Sequence, residues 1–275
     1  MVSGPSVGAR RWVWKGAAAA FVLAAGFLVS AALRLPVSRP FDYVCNLGAT
    51  VAAPSLAAPD DGRVRVVYCV HGLWRTSTSM DRMARSLRAA GYEVHAIDYP
   101  STEGRMASHA ALLQRHVEAR FAAGPVDEVS FVGHSMGGLV IQEYLRRPDA
   151  RAPKACVYVA TPHRGAILAD RRHHWFLFRW VMGDLAAAEL VTTAPLHEQP
   201  IPFGDRSGAV VGDVGEGSGA IPGRDDGTVG VDEATWEGAA DSVLLPYGHT
   251  SIKLRERTIR HVLYFLRDLR FAPEA

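Results

Sequence analysis

Segments with the pattern of β-strands alternate with helical segments along most of this chain. Four runs rich in β-branched residues fit strands, at 64–70, 92–97, 126–132 and 155–160. Between the first two runs, Met80, Met83 and Leu87 recur at the spacing of one helix face. Strands that alternate with helices in this way pair in parallel and are covered on both faces. The sequence therefore predicts an α/β fold with a mainly parallel sheet.

The later part of the chain continues the same pattern. Residues 137–147 fit another helix, and residues 207–214 and 243–245 fit two further strands. Apolar residues from Ile252 to Leu269 share one face of a closing helix. In a sheet of this kind, functional residues gather in the loops at the carboxyl ends of the strands.

Composition and charge exclude several classes of protein. A hydrophobic fraction of 48% with 21% charged residues excludes a wholly disordered chain. Residues 1–34 hold four basic side chains and no acid, which leaves 26 basic against 28 acidic residues. Nucleic-acid binding requires a basic surface, so we expect no nucleic-acid partner. The three cysteines have no metal-ligand spacing, and we expect neither a metal nor a cofactor.

The N-terminus has the character of a membrane-directed segment. Residues 16–33 carry no charge and follow Arg10, Arg11 and Lys15. We predict a signal anchor over 1–35, a tether over 36–62 and one catalytic domain over 63–275 on the extracytoplasmic side. The alternative is a cleaved signal peptide and a secreted domain, because residues 29–31 would serve as a small-residue cleavage site.

A serine lies in a glycine-flanked turn between a predicted strand and a predicted helix. The residues are Gly133-His134-Ser135-Met136-Gly137, a G-x-S-x-G pattern. Small residues on both sides let the strand and the helix approach closely, and the sharp turn exposes the serine hydroxyl. This context predicts that Ser135 is a catalytic nucleophile.

A nucleophilic serine needs a base, and the base needs an acid that orients it. His249 lies between the last predicted strand and the closing helix, and Asp226 follows the predicted strand at 207–214. Both positions are strand-end loops, so we expect these side chains to converge on Ser135. Asp225 is the alternative acid, and a simple Asp-Gly turn is the alternative interpretation of this segment.

Two backbone amides are expected to stabilise the charge that develops on a carbonyl oxygen during acyl transfer. One belongs to Met136, the residue after the nucleophile. The other lies in the loop after the first strand, where we choose Leu73. The alternative for that loop is an ordinary turn that ends a strand.

A region at about 166–200 forms a possible lid insertion. It contains Trp175, Phe176, Phe178 and Trp180 within six residues, a large apolar surface for a loop after a strand. We expect Trp175 and Phe178 to contact the substrate, together with His163 from the preceding loop. The alternative is a helix that packs on the core.

Five segments in this order resemble the α/β-hydrolase superfamily: Val70-His71-Gly72-Leu73, Gly133 to Gly138, Thr161 to Gly165, Asp226 to Val229, and Gly248-His249. The chain is most similar to the bacterial lipase and esterase branch related to the GPI inositol-deacylase hydrolase domain. The resemblance spans about residues 64–271. It implies the α/β-hydrolase fold, with Ser135, Asp226 and His249 as nucleophile, acid and base, and Leu73 and Met136 in the oxyanion hole.

We therefore expect a membrane-tethered serine hydrolase that cleaves hydrophobic carboxylic esters through an acyl-enzyme. A thioesterase or an acyltransferase with the same triad is one alternative. A non-catalytic binding protein that retains the hydrolase fold is an alternative of a different class.

Overall fold

The computed structural model describes residues 50–172, 183–216 and 219–273. Six strands form one sheet in the order β2-β1-β3-β4-β5-β6, and all neighbouring strands are parallel. The strands are β1 (Arg65–Val70), β2 (Glu93–Ile97), β3 (Glu128–His134), β4 (Ala155–Val159), β5 (Ser207–Gly212) and β6 (Asp241–Leu245).

Most of the described helices lie between these strands in the chain, and the last two follow β6. They are α1 (Asp81–Ala89), α2 (Met106–Ala123), α3 (Met136–Leu145), α4 (Ile167–Arg172), α5 (Asp184–Leu190), α6 (Val231–Ala234), α7 (His249–Ile252) and α8 (Glu256–Asp268). Short 3₁₀ turns occupy Pro54–Leu56, Ser77–Met80, Pro195–His197 and Gly204–Arg206.

Alternate side chains of each strand enter different cores on the two sides of the sheet. On β1, Val67 and Cys69 belong to a cluster with residues of α1 and α8. Their neighbours Val66 and Tyr68 belong to a second cluster with residues of α2 and α3. Strand side chains alternate between faces, so a strand that is buried on both sides must be apolar throughout. This explains the continuous hydrophobic run of β1.

The strand order places a topological switch beside β1. The chain passes from β1 to β2 on one side and then returns to place β3 on the other side. In parallel sheets a crevice forms outside the carboxyl ends of the strands at such a point. The loop after β1 and the turn after β3, which carries Ser135, both lie there.

The predicted α/β fold and its mainly parallel sheet are confirmed. β5 ends at Gly212, two residues earlier than predicted, because the Val214 N–H bonds the carbonyl of Asp225 at 2.8 Å instead of continuing in the sheet. β6 begins at Asp241, two residues before the predicted start.

The predicted membrane segment at 1–35 and the first part of the tether lie outside the described residues. Among the helices that are described, none is both long and apolar enough to cross a bilayer. The domain boundaries at the N-terminus remain predictions.

Phe265 provides a test of the core beneath α8. Its ring is fully buried, lies 4.9 Å from the Phe271 ring between centroids at a tilt of 38°, and packs over Gly208. Replacing it with Ala is expected to lower the free energy of unfolding by about 3–5 kcal/mol. Leu244→Ala, on the exposed side of β6, is the control and should change the free energy of unfolding by less than about 0.5 kcal/mol. Equal effects in urea unfolding would contradict this packing.

Candidate active site

Ser135 occupies a strained turn between β3 and α3. Its backbone has φ 54° and ψ −130°, in a region that non-glycine residues rarely adopt. A Cβ at Gly133 would lie 2.6 Å from the Gly138 Cα, and a Cβ at Gly137 would overlap the Val70 carbonyl. The G-x-S-x-G pattern is therefore a packing requirement, since a side chain at Gly133 would separate β3 from α3 and one at Gly137 would separate α3 from the end of β1.

The structure brings Ser135, His249 and Asp226 into one hydrogen-bonded chain. The Ser135 hydroxyl lies 2.9 Å from Nε2 of His249. The His249 Nδ1 lies 2.7 Å from Oδ2 of Asp226. Asp226 accepts from Nδ1–H, which leaves the lone pair of Nε2 free to accept the serine proton.

The loop after β5 fixes the Asp226 carboxylate. Its Oδ1 accepts hydrogen bonds from the amides of Thr228 at 2.9 Å and Val229 at 2.8 Å. The Asp226 side chain is only 1% exposed, and that of His249 is 12% exposed. A carboxylate that is so well hydrogen-bonded and shielded keeps one orientation and can stabilise an imidazolium beside it.

Asp225, the alternative acid, points elsewhere. Its Oδ1 accepts a hydrogen bond from the Gly227 amide at 2.6 Å, which is the Asx-turn geometry expected of an Asp-Gly segment. Asp225 thus forms a turn, whereas the Asp226 carboxylate contacts His249.

The loop after β1 lies against the nucleophile. A Cβ at Gly72 would be 3.0 Å from the Ser135 Cβ. The following turn is closed by a bond from the Arg75 amide to the Gly72 carbonyl, and Trp74 adopts a positive φ of 66°. Gly72, the neighbour of Leu73 in the chain, thus lies against Ser135. Met136 is the first residue of α3, where an N–H has no intrahelical acceptor.

His71 and Tyr99 support this loop from below. The His71 Nδ1–H donates to the Gly72 carbonyl at 2.8 Å, and the Tyr99 hydroxyl donates to the His71 carbonyl at 2.6 Å. The two rings stack at 4.3 Å. Burial lowers the pKa of His71 to about 4, so this imidazole is neutral at physiological pH and acts as a structural hydrogen-bond donor.

Sequence reasoning missed His134, the variable residue of the serine turn. Its Nε2–H donates to the backbone carbonyl of His249 at 2.9 Å, and the two rings lie 5.1 Å apart. Burial, with smaller contributions from Lys253 and His249, holds the pKa of His134 well below its ordinary value. No sequence signal indicates this contact, because the middle position of the pattern accepts many residue types.

His163 has a packed environment. Its ring contacts Trp236 at 4.3 Å and Tyr158 at 5.1 Å between centroids, and its Nδ1 accepts a hydrogen bond from the Gln142 amide at 2.6 Å. Only 4% of His163 is exposed. These contacts brace the loop after β4, while substrate contact by His163 stays a prediction.

The possible lid insertion is partly described. Trp175 and Phe178 lie outside the described residues. The flanking parts are anchored to the domain: Asp170 accepts two hydrogen bonds from Thr192, and Glu189 accepts one from the Met106 amide at 2.6 Å. Glu233 joins this region to the loop after β5 that carries Asp226, because its two oxygens accept from the amides of Ile167 and Gly230.

Within the described ranges, no group of three or more His, Cys, Asp or Glu side chains could hold a metal ion. Cys69 and Cys156 are buried thiols, and burial raises the pKa of each to about 12. Such thiols are protonated at physiological pH and serve as core residues.

The sequence profile of the Alpha/beta hydrolase family matches residues 67–268. The chain belongs to the alpha/beta hydrolase family. The match includes the turn of Ser135, the loop of Asp226, and His249 of this hydrolase. The narrower resemblance to the GPI inositol-deacylase branch stays a prediction.

Curated and structural relatives of this hydrolase include esterases and a thioesterase. The probable esterase PIR7A of rice (Oryza sativa subsp. indica) is 31% identical over 122 residues, which is 40% of this chain and 46% of the rice protein. The match thus spans about half of the curated relative.

The crystal structure of the Bacillus licheniformis lipase BlEst2 in its mature form covers 76% of this chain and 94% of its own, at 22% identity and a TM-score of 0.58. The match to the metagenomic carboxyl esterase MGS0156 covers 75% of this chain and 69% of the esterase, at 21% identity and a TM-score of 0.59. The match to the type II thioesterase BorB covers 76% of this chain and 93% of the thioesterase, at 21% identity and a TM-score of 0.53. These likenesses show a common fold.

His163 also makes the stability of the domain depend on pH. Burial lowers its pKa to about 3, whereas the unfolded chain has an ordinary histidine pKa of about 6.5. Below pH 6.5 the unfolded state binds more protons, so the free energy of unfolding must fall as pH falls, by at most about 1.4 kcal/mol per pH unit for this group.

The variant His163→Asn retains an acceptor for Gln142 but cannot titrate. Urea unfolding between pH 7 and pH 5 should show a shallower loss of stability in this variant than in the wild type. The variant should still lose some stability as pH falls, because the lowered pKa of His71 changes the free energy of unfolding in the same direction. Parallel profiles for the two proteins would contradict a buried neutral His163.

Proposed function

We propose that this hydrolase cleaves carboxylic esters with Ser135 as nucleophile, His249 as base and Asp226 as orienting acid. The observation that carries the proposal is the pair of short contacts on His249, 2.9 Å to the Ser135 hydroxyl and 2.7 Å to the Asp226 carboxylate. Family membership supports ester hydrolysis in general.

The reaction follows from this geometry in two halves. As the Ser135 Oγ attacks the ester carbonyl carbon, its proton moves to Nε2 of His249, and the Asp226 carboxylate stabilises the resulting imidazolium. Collapse of the tetrahedral intermediate breaks the bond to the alcohol oxygen, which takes the proton from Nε2. Water then attacks the acyl-enzyme with His249 again as base, which releases the acid and restores Ser135.

The oxyanion is assigned to the amides of Leu73 and Met136. The contact of the Gly72 loop with Ser135 and the position of Met136 at the start of α3 support this assignment. Each amide donor of this type contributes about 3 kcal/mol to stabilisation of the transition state. The bracing by His71 and Tyr99 maintains the loop before substrate arrives, so little reorganisation is needed during the reaction.

We extend the proposal to hydrophobic acyl groups and to a membrane-tethered domain. The aromatic residues of segment 174–182 and the uncharged run at 16–33 support this extension. A thioesterase or acyltransferase would use the same triad but a different leaving group or acceptor. Hydrolysis of oxygen esters and matched thioesters of increasing acyl length, with and without added alcohols, separates these activities.

The neighbouring aspartates offer a matched pair of variants for testing the triad. Asp226→Asn keeps the side-chain size but removes the carboxylate that orients His249, so kcat on a short p-nitrophenyl ester should fall by about 10³–10⁴-fold. Asp225→Asn retains an oxygen that can accept from Gly227, and kcat should stay within about threefold of the wild type.

Ser135→Ala sets the baseline for these assays, and circular dichroism confirms that each variant is folded. Activity in Asp226→Asn equal to that of Asp225→Asn would contradict the assigned acid. Folded wild-type protein with no activity on any ester or thioester would favour the non-catalytic alternative.

A further inference from the structure

One face of this nearly neutral protein is strongly basic. Helices α1 and α8, with the residues that flank α8, contain three carboxylates, Asp81, Glu256 and Asp268. The same segments contain eight arginines: Arg82, Arg85, Arg88, Arg255, Arg257, Arg260, Arg267 and Arg270. The whole chain has a formal net charge of only +2. We call this surface the α1–α8 face.

Six of the eight arginines of the α1–α8 face are exposed, while Arg82 and Arg267 are half-buried. The Arg88 guanidinium also donates to the Val94 carbonyl at 2.7 Å, and Arg267 pairs with Asp268 at 2.7 Å. Met83 and Leu87 of α1, and Ile259 and Val262 of α8, lie in one core cluster on the same side of the sheet. The arginines of α1 recur every third residue on the opposite helix surface. Arg85, Arg88, Arg257 and Arg260 are all exposed. The exposed arginines of the two helices therefore make this side of the domain cationic.

An aromatic residue lies among these arginines. The Tyr264 ring has Arg267 at 5.1 Å and Arg260 at 5.8 Å from its centroid. Tyrosine is enriched where proteins meet the headgroup region of a bilayer, because its ring is apolar and its hydroxyl is polar. Guanidinium groups suit the same region, since they bind phosphate through two parallel hydrogen bonds.

The chain enters the domain beside helices α1 and α8. The Val51 amide donates to the Ser86 hydroxyl at 3.0 Å, and the Ala58 amide donates to the carbonyl of Ala90 at 2.7 Å. Leu56 is buried in the cluster beneath α1 and α8. The segment predicted to enter the membrane, at 16–33, precedes this point by fewer than twenty residues, which span at most about 60 Å.

We propose that the α1–α8 face docks on the surface of a bilayer that contains anionic phospholipids. The charge of the face complements lipid phosphates, and its attachment to the membrane-directed segment keeps it at high local concentration beside the bilayer. This proposal concerns a surface distinct from the triad, so its outcome is independent of the proposed ester hydrolysis.

Arginine modification tests this docking in the full-length chain. The protein is incorporated into nanodiscs of pure phosphatidylcholine or of phosphatidylcholine with about one third phosphatidylglycerol. The rates of reaction with p-hydroxyphenylglyoxal are then measured at individual arginines by peptide mass spectrometry. Arg115, Arg151 and Arg206 are exposed elsewhere on the domain and serve as internal controls.

The proposal predicts at least threefold slower modification of Arg85, Arg257 and Arg260 on the anionic nanodiscs than on the neutral ones. The controls should react equally on both. The protection should disappear at about 1 M NaCl, where the Debye length is about 3 Å. Equal rates at the α1–α8 face in both lipids, or equal protection of the controls, would overturn the proposal.

A triple variant tests whether the charge itself is responsible. Replacement of Arg85, Arg257 and Arg260 with Gln should abolish the lipid-dependent protection of Arg255 and Arg270. The matched replacement of Arg115, Arg151 and Arg206 should leave it intact. If a soluble DNA oligonucleotide or polyglutamate protects the face while anionic lipid does not, the partner is a different polyanion and the membrane proposal is wrong.

Discussion

The contact between the serine turn and its neighbours is the constraint on which the whole site depends. Ser135 adopts a backbone conformation that costs on the order of 1–3 kcal/mol, and the surrounding fold must compensate for it. The Ser135 amide bonds the Val159 carbonyl at 2.9 Å, and the Ser135 carbonyl accepts from the Gly138 amide at 2.9 Å. The strained turn is thereby fixed between β4 and the first turn of α3, with its hydroxyl outside the sheet.

The parallel sheet then gathers the other parts of the site around that hydroxyl. The loops after β1, β5 and β6 supply the Gly72 turn, Asp226 and His249 at the same edge of the sheet. The loop after β6 is held at His249 by two backbone hydrogen bonds. The His249 amide donates to the Asp226 carbonyl at 2.9 Å, and the His249 carbonyl accepts from the His134 ring. The imidazole therefore faces Ser135 in the folded chain, and in the proposed ester hydrolysis this preorganisation would lower the entropic cost of reaction.

Much of this arrangement could be predicted from the sequence, because strand pattern, glycine spacing and loop position all leave local signals. Ser135 and His249 follow from such signals. The choice between Asp225 and Asp226 depends on the direction in which each side chain leaves a turn, and the pattern at that turn fits both. His134 could not be predicted at all, since its role depends on a carbonyl 115 residues away that only the folded chain brings near.

Covalent labelling of the nucleophile tests the central claim most directly. We expect a fluorophosphonate to attach once per molecule, peptide mass spectrometry to place the adduct on Ser135, and Ser135→Ala to take no label. A folded wild-type protein that remains unlabelled, or an adduct on another residue that persists in Ser135→Ala, would contradict it.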